Sequence, residues 1–189
     1  MPRTFFTVLF FVILAGTGCK KTYVYPDTFH PAPEAKEFRL LSGKQSFRLN
    51  ENLPQRKVVL LYFGFSSCVA VCPIALSNLS RTYELLSVEE KAKVRVFFIT
   101  VDPLRDTPEI ARQYAARFHS DFTGLSGSGP EVKKVIEDYS IYASQRLTEI
   151  DHTSGILYLT ASGDRYVIRR RIPAGFRPED LAGDIRLDL

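Results

Sequence analysis

The sequence has no concentrated basic stripe, no internal repeat, no low-complexity block and no apolar run long enough to span a bilayer. The formal charge of +4 is spread along 189 residues, so the electrostatic footprint of a nucleic-acid binder is missing. Without repeats or biased segments, the length suits one globular domain with a short appendage. The N-terminal apolar run, residues 5–15, falls short of the roughly 20 residues that a spanning helix needs. Cysteine is scarce at three residues. A domain of this size buries roughly 70% of the surface its unfolded chain exposes, so it needs neither disulfide nor metal to hold a core. The cysteines are therefore free to serve function.

The N-terminus carries Arg3, the apolar run, and then Gly16, Thr17 and Gly18 directly before Cys19. This order reads as an export signal over residues 1–18. A cysteine after small residues stands at the acceptor position of a bacterial lipoprotein signal, with Gly16 where Leu is usual. The alternative is an uncleaved short anchor in which Cys19 is incidental. Both readings place the protein in the bacterial cell envelope, membrane-anchored through a lipid or short anchor and facing the periplasm or extracytoplasmic space. Residues 19–36, with Pro26, Pro31 and Pro33 and no apolar period, read as a tether. Residues 37–189 read as the domain.

The domain is organised around residues 57–86, an apolar strand that breaks at Gly64, Ser66 and Ser67 and reopens as a helix. The turn carries Cys68 and Cys72. On a helix, positions i and i+4 lie on one face, so this spacing aims two sulfurs at one point. With Cys68 at the helix start, unpaired amides favour an anion by roughly 0.3–1 kcal/mol. At about 1.4 kcal/mol per pKa unit the dipole alone lowers a thiol pKa by less than about one unit, so larger activation needs a partner or a metal.

Residues 58–63 and 94–101 are continuous apolar runs, the mark of strands buried on both faces. Between them, Ile74, Leu76, Leu79, Tyr83 and Leu86 form the apolar stripe of a helix that opens with Pro73. Thr107 as N-cap with Pro108 behind it starts the next helix. Residues 38–41 and 46–49 suit a hairpin, Pro130 opens a further helix, residues 156–160 and 166–172 read as two strands joined by a turn, and Pro178 opens a last helix. This order predicts an α/β, thioredoxin-like fold: a central mixed sheet flanked by helices, with an N-terminal hairpin extension. Arg169, Arg170 and Arg171 read as a solvated edge that discourages strand addition. His119, at a helix end, reads as a cation favoured by the helix C-terminus.

Four motifs carry a likeness: Phe63-Gly64-Phe65-Ser66-Ser67-Cys68 with Cys72-Pro73; Val101-Asp102-Pro103 with Arg105-Asp106-Thr107-Pro108-Glu109; Thr123-Gly124-Leu125-Ser126-Gly127; and Asp151-His152-Thr153 before a strand. In this order they resemble the Sco/SenC family over nearly all of residues 38–189. The resemblance implies a membrane-tethered, thioredoxin-like protein that binds copper and helps assemble the binuclear copper centre of cytochrome c oxidase. It implies Cys68, Cys72 and His152 as metal ligands. Asp102, Arg105 and Asp151 stand beside them; Asp102 and Arg105 either fix the neighbouring loop by an ion pair or take a direct part. Where many relatives carry Pro and an acidic residue between the cysteines, this chain has Val69 and Ala70. Loss of that carboxylate removes a repulsion and eases thiolate formation.

Coordination chemistry agrees with the implied set. Two thiolates hold soft Cu(I), and one imidazole adds the capacity to take Cu(II). Zinc also accepts two cysteines and a histidine, so the residue types alone do not exclude it. A copper chaperone would receive the ion from an upstream donor protein and pass it to the oxidase copper-site subunit or another envelope copper protein. The alternative is a thiol-disulfide oxidoreductase in which Cys68 attacks a partner disulfide and Cys72 resolves the mixed disulfide. Its three intervening residues differ from the two of the thioredoxin motif. A peroxidase would need Pro and Thr where Leu61 and Phe65 stand, and is excluded.

Overall fold

The computed structural model describes residues 27–52, 55–141, 143–145, 150–152 and 155–189. The export signal and Cys19 lie outside the described residues. The chain runs through strands β1 (Asp27–Thr28), β2 (Arg39–Ser42) and β3 (Gln45–Arg48), a 3-10 turn (Leu49–Asn52), then β4 (Val58–Gly64) and helix α1 (Val71–Glu84). It continues through α2 (Val88–Lys91), β5 (Val94–Thr100), α3 (Pro108–Ala116), β6 (Thr123–Leu125) and α4 (Gly129–Asp138). Two short strands, β7 (Ala143–Gln145) and β8 (Ile150–His152), precede β9 (Ile156–Ser162), β10 (Arg165–Ile172) and α5 (Pro178–Asp188).

The main sheet has the order β1-β10-β9-β4-β5-β6. β4, β5 and β6 are parallel, and β9 and β10 complete the sheet antiparallel to their neighbours. This is the mixed sheet of a thioredoxin-like fold, and β2 and β3 form the separate hairpin expected at its N-terminal side. β4 is apolar and buried throughout because both its faces are covered. Val58, Leu60 and Tyr62 pack toward α1, α3 and α5. Val59, Leu61 and Phe63 pack toward α4 and the hairpin residue Leu40.

Local chemistry sets the helix starts. Ser87 with Glu90, and Ser128 with Glu131, form reciprocal capping boxes. Thr107 accepts the Ile110 amide at 3.3 Å ahead of Pro108. β6 passes so close under α3 that a Cβ on Gly124 would lie 1.8 Å from the Ala111 carbonyl oxygen.

Two expectations change. Residues 27–36 are not a free tether: β1 pairs with β10, the Ala35 amide donates to the Tyr166 carbonyl at 2.9 Å, and Ala35 is buried. Proline-rich sequence without apolar period can still dock through backbone bonds at a sheet margin. In consequence β10 is not an edge. Arg170 reaches Asp184 at 3.3 Å and lies 4.6 Å from the Tyr158 ring, while Arg169 donates to the Thr160 hydroxyl at 2.8 Å. Arg169 and Arg170 are thus tied to the sheet rather than freely solvated.

Candidate metal centre

The chain leaves β4 at Gly64 and enters α1 at Val71, and the turn between them holds the first cysteine. Cys68 is half-buried and lies outside the helix, its amide donating to the Phe65 carbonyl at 3.2 Å. Cys72, the second residue of α1, is fully buried. The two sulfurs meet because the turn folds back over the helix start, not because both sit on one helix face. Gly64 permits this arrangement. A Cβ there would lie 2.9 Å from Cys72 Sγ and 3.1 Å from Tyr62 Cε1, so only glycine leaves room for the buried thiol over the strand.

The two thiols are driven apart electrostatically. At Cys68, partial burial opposes ionisation but is outweighed. The Cys72 thiol and the amides of Cys72, Ala70 and Val71 all point hydrogen bonds at its sulfur and bring its pKa below the ordinary thiol value. The unpaired amides of the helix start therefore serve the cysteine that precedes the helix. Cys72 is pushed up to about 12, chiefly by burial; the Tyr62 hydroxyl, a donor to the ionised sulfur, pulls the other way, and the role of Cys72 as donor to Cys68 adds a smaller push upward. Both cysteines are free thiols. The result is one half-buried, anion-prone sulfur backed by one dry, protonated sulfur.

The loop after β5 buttresses this turn. Gly64 and Thr100 are register partners at the ends of the parallel strands, and the Val101 amide donates to the Gly64 carbonyl at 2.8 Å. Asp106, 1% exposed, accepts the Ser66 amide at 2.8 Å, the Thr100 hydroxyl at 2.8 Å, and the Ser66 hydroxyl. Its backbone carbonyl takes the Ser126 hydroxyl at 2.6 Å. Three motifs of the sequence thus converge on one residue, a role that sequence reading did not assign to Asp106. Its acidic character two residues before a capped helix was the only local signal.

Asp102 and Arg105 form an ion pair in the same loop. Asp102 is buried and its amide is held by the Thr100 hydroxyl at 3.0 Å, so the pair fixes the loop beside the cysteine turn. His152 ends β8, where its backbone pairs with Ala143, and Asp151 pairs with Ser144. β9 begins at Ile156, the register partner of Tyr62. The backbone therefore brings His152 to the end of the sheet from which the cysteine turn emerges, within about 14 Å of Ile156 along the chain. His119 lies elsewhere: its Nε2 meets Glu84 at 2.7 Å and its Nδ1 accepts the Asp121 amide at 3.0 Å.

Val69 sits between the cysteines at 95% exposure, and Leu104 in the adjoining loop at 83%, so the approach to Cys68 is apolar and open. A cavity of about 590 Å³ lined by Arg56, Lys91, Arg95 and Asp121 lies at the opposite end of the strands. The cysteine end thus offers one accessible sulfur with a buried sulfur behind it. Such a pair suits a soft ion or a thiol-disulfide exchange.

Comparison with known proteins agrees with this geometry. The SCO1/SenC family profile matches residues 27–187. An SCO2-like protein of Rickettsia prowazekii is 35% identical over 115 residues, which is 57% of this chain and 55% of the relative; the chain thus spans about half the length of that curated relative. The solution structure of apo Sco1 from Thermus thermophilus superposes with a TM-score of 0.74 at 30% identity, covering 86% of this chain and 95% of that one. Bradyrhizobium japonicum ScoI with copper bound superposes with a TM-score of 0.71 at 29% identity, covering 82% and 99%. With the profile spanning the cysteine turn, the buttressing loop and the His152 strand alike, the chain belongs to the SCO1/SenC family.

Proposed function

We propose that this protein is a copper-binding metallochaperone that delivers copper to the binuclear copper site of cytochrome c oxidase during its assembly. The observation that carries the reading is the sulfur pair: Cys68 held by three backbone amides at the mouth, and Cys72 buried directly behind it. Two soft donors preset at one point bind Cu(I) with little rearrangement. His152, at the end of β8 ahead of β9, supplies the borderline donor that Cu(II) requires. Copper is the cargo. Cys68, the accessible ligand, is the one that an acceptor's thiolate would displace first, so transfer proceeds by ligand exchange at the open apolar face around Val69 and Leu104. The copper-bound ScoI relative supports the reading.

The export signal carries the domain to the bacterial envelope, and Cys19, as the lipid acceptor, holds it at the membrane, facing the extracytoplasmic space in which an oxidase copper subunit is loaded. An upstream donor supplies the ion. Asp102, Arg105 and Asp106 keep the turn in position and do not contact the ion.

One feature favours a second activity. The pair is asymmetric in the way of a thiol reductase, with an accessible low-pKa sulfur and a buried protonated one. In that reaction the Cys68 thiolate attacks a partner disulfide, and the partner thiolate leaves. Cys72 then gives up its proton and attacks Cys68 Sγ, releasing the second partner thiolate and leaving a Cys68–Cys72 disulfide.

Anaerobic titration of the reduced protein with Cu(I) against a competing chelator, then with Cu(II) under visible absorption, decides between them. The chaperone reading expects one-to-one binding of both ions, with a sulfur-to-copper band that collapses in His152→Ala while much Cu(I) affinity remains. Equal retention of both ions by that variant removes His152 from the ligand set. Absent copper binding, together with disulfide reduction by the metal-free dithiol that Cys68→Ser abolishes, makes the reductase the function.

A further inference from the structure

Tyr62 is 0% exposed near the C-terminal end of β4, and its hydroxyl has no hydrogen-bond partner among the described residues. Leaving a buried hydroxyl unpaired costs about 1–3 kcal/mol, so an orphan in the middle of the sheet calls for a reason. Its surroundings supply one. A point 3.1 Å from Tyr62 Cε1, the ring carbon next to the one bearing the hydroxyl, is 2.9 Å from Cys72 Sγ and 3.3 Å from Phe98 Cε2. The hydroxyl end of the ring thus adjoins the buried sulfur, with an apolar ring on the other side that offers no acceptor. Cys72 is also 0% exposed, so no bulk water competes for either group.

A protonated thiol is a poor acceptor, which accounts for the unmade bond in the free-thiol state. A thiolate is a good one, and keeps accepting lone pairs when it ligates a metal. We infer that the Tyr62 hydroxyl donates a hydrogen bond to Cys72 Sγ once that sulfur holds copper, making Tyr62 a positioning residue that biases the site toward Cu(I). The inference rests on the copper reading above. A hydrogen bond draws charge from the sulfur, and Cu(II) gains more than Cu(I) from a strongly donating thiolate. The bond therefore favours the reduced ion. It also offsets part of the desolvation of a ligand that is 0% exposed.

Tyr114 of α3 repeats the arrangement one ring further out. Its hydroxyl too is buried without a partner among the described residues, and its ring lies 5.0 Å from that of Phe98. It stands as a weaker donor to the same pocket. Tyr158 is the natural control, because its buried hydroxyl already donates to Asp188 at 2.7 Å on the α5 side of the sheet.

The test uses the full chain in detergent, with Tyr62→Phe, Tyr114→Phe and Tyr158→Phe beside the wild type. Each is loaded with Cu(II) and with Cu(I) under competing chelators, and the sulfur-to-copper band is recorded. In Tyr62→Phe the band moves to longer wavelength and the ratio of Cu(II) to Cu(I) affinity rises about threefold to tenfold. Metal-free thermal stability is unchanged or higher, since an unpaired hydroxyl has been removed. Tyr114→Phe gives the same signs with smaller size, and Tyr158→Phe leaves band and ratio alone. A second measurement needs no variant: the Tyr62 13Cζ resonance of the wild type moves on Cu(I) loading as its hydroxyl gains an acceptor. A wild-type band that Tyr62→Phe does not alter, or a 13Cζ resonance that Cu(I) leaves in place, overturns this inference alone. A wild type that takes up no copper overturns the copper reading and this inference with it.

Discussion

The Ser66 amide donates to the Asp106 carboxylate at 2.8 Å, and that bond fastens the cysteine turn to the loop of the neighbouring strand. The same carboxylate takes the Thr100 hydroxyl at 2.8 Å. In Asp106→Ala both donors lose their acceptor inside the protein, at about 1–3 kcal/mol for each unpaired buried group. The expected outcome is a fall in urea stability of about 3 kcal/mol together with weaker Cu(I) binding. Asp106→Asn, which keeps one acceptor oxygen, recovers about half of the stability. Equal stability of wild type and Asp106→Ala would show that the turn holds its shape without this carboxylate.

Cys72 makes stability fall as the solution becomes alkaline. Its folded-state pKa of about 12 lies above that of the unfolded thiol, so between the two the native state binds more protons than the unfolded state. Stability then drops by about 1.4 kcal/mol per pH unit once pH passes the unfolded thiol value near 8.5. Cys68 works in the opposite direction at lower pH, because its folded pKa is depressed. Its contribution is complete above the unfolded value. The clean comparison is therefore Cys68→Ala against Cys68→Ala/Cys72→Ala by urea melts at pH 9 and pH 10, because tyrosine ionisation, with an ordinary pKa of about 10, is common to both variants and cancels. The single variant loses stability faster with pH than the double; parallel slopes would mean that Cys72 ionises as freely in the fold as outside it.

Gly64→Ala tests the close approach of the strand and the buried thiol. The added methyl would meet Cys72 Sγ at 2.9 Å and Tyr62 Cε1 at 3.1 Å, neither of which is the end of a flexible chain. Overpacking of this kind costs about 1–3 kcal/mol. The sulfur must also shift, so the variant loses metal affinity as well as thermal stability. A variant with wild-type melting and wild-type Cu(I) affinity would place the sulfur farther from the strand.

What the sequence displayed well was local. The β4 run, the capping of α3 by Thr107 and Pro108, and the turn between β9 and β10, where Gly163 adopts φ +64°, all signal through residues a few positions apart. The cysteine pair was legible by spacing, yet the expected geometry was not, because Val71 rather than Cys68 begins the helix. Asp106 and Ser66 are forty positions apart, and only the parallel register of β4 with β5 brings them together. The hairpin that carries His152 is polar and lacks alternation, so its three-residue strands left no pattern to read. The Arg169 to Arg171 run looked like an edge because β1, at two residues, is too short to show as a strand.

Arg105 tests whether the Asp102 ion pair positions the site or only decorates the surface. Asp102 is 1% exposed and its Oδ1 has no partner among the described residues, whereas the Arg105 side chain is 56% exposed. Exposed pairs contribute about 0–1 kcal/mol, but removing the partner of a buried charge costs about 3–5 kcal/mol. This pair has one end in each regime. Arg105→Ala is therefore expected to lose about 2 kcal/mol, more than a surface pair and less than a fully buried one. Asp102→Asn removes the buried charge itself, so adding it to Arg105→Ala restores part of the loss. A double-mutant cycle by urea denaturation measures the coupling. Additive losses would show that Arg105 and Asp102 act independently, and that the loop beside the cysteine turn is held by Asp106 alone.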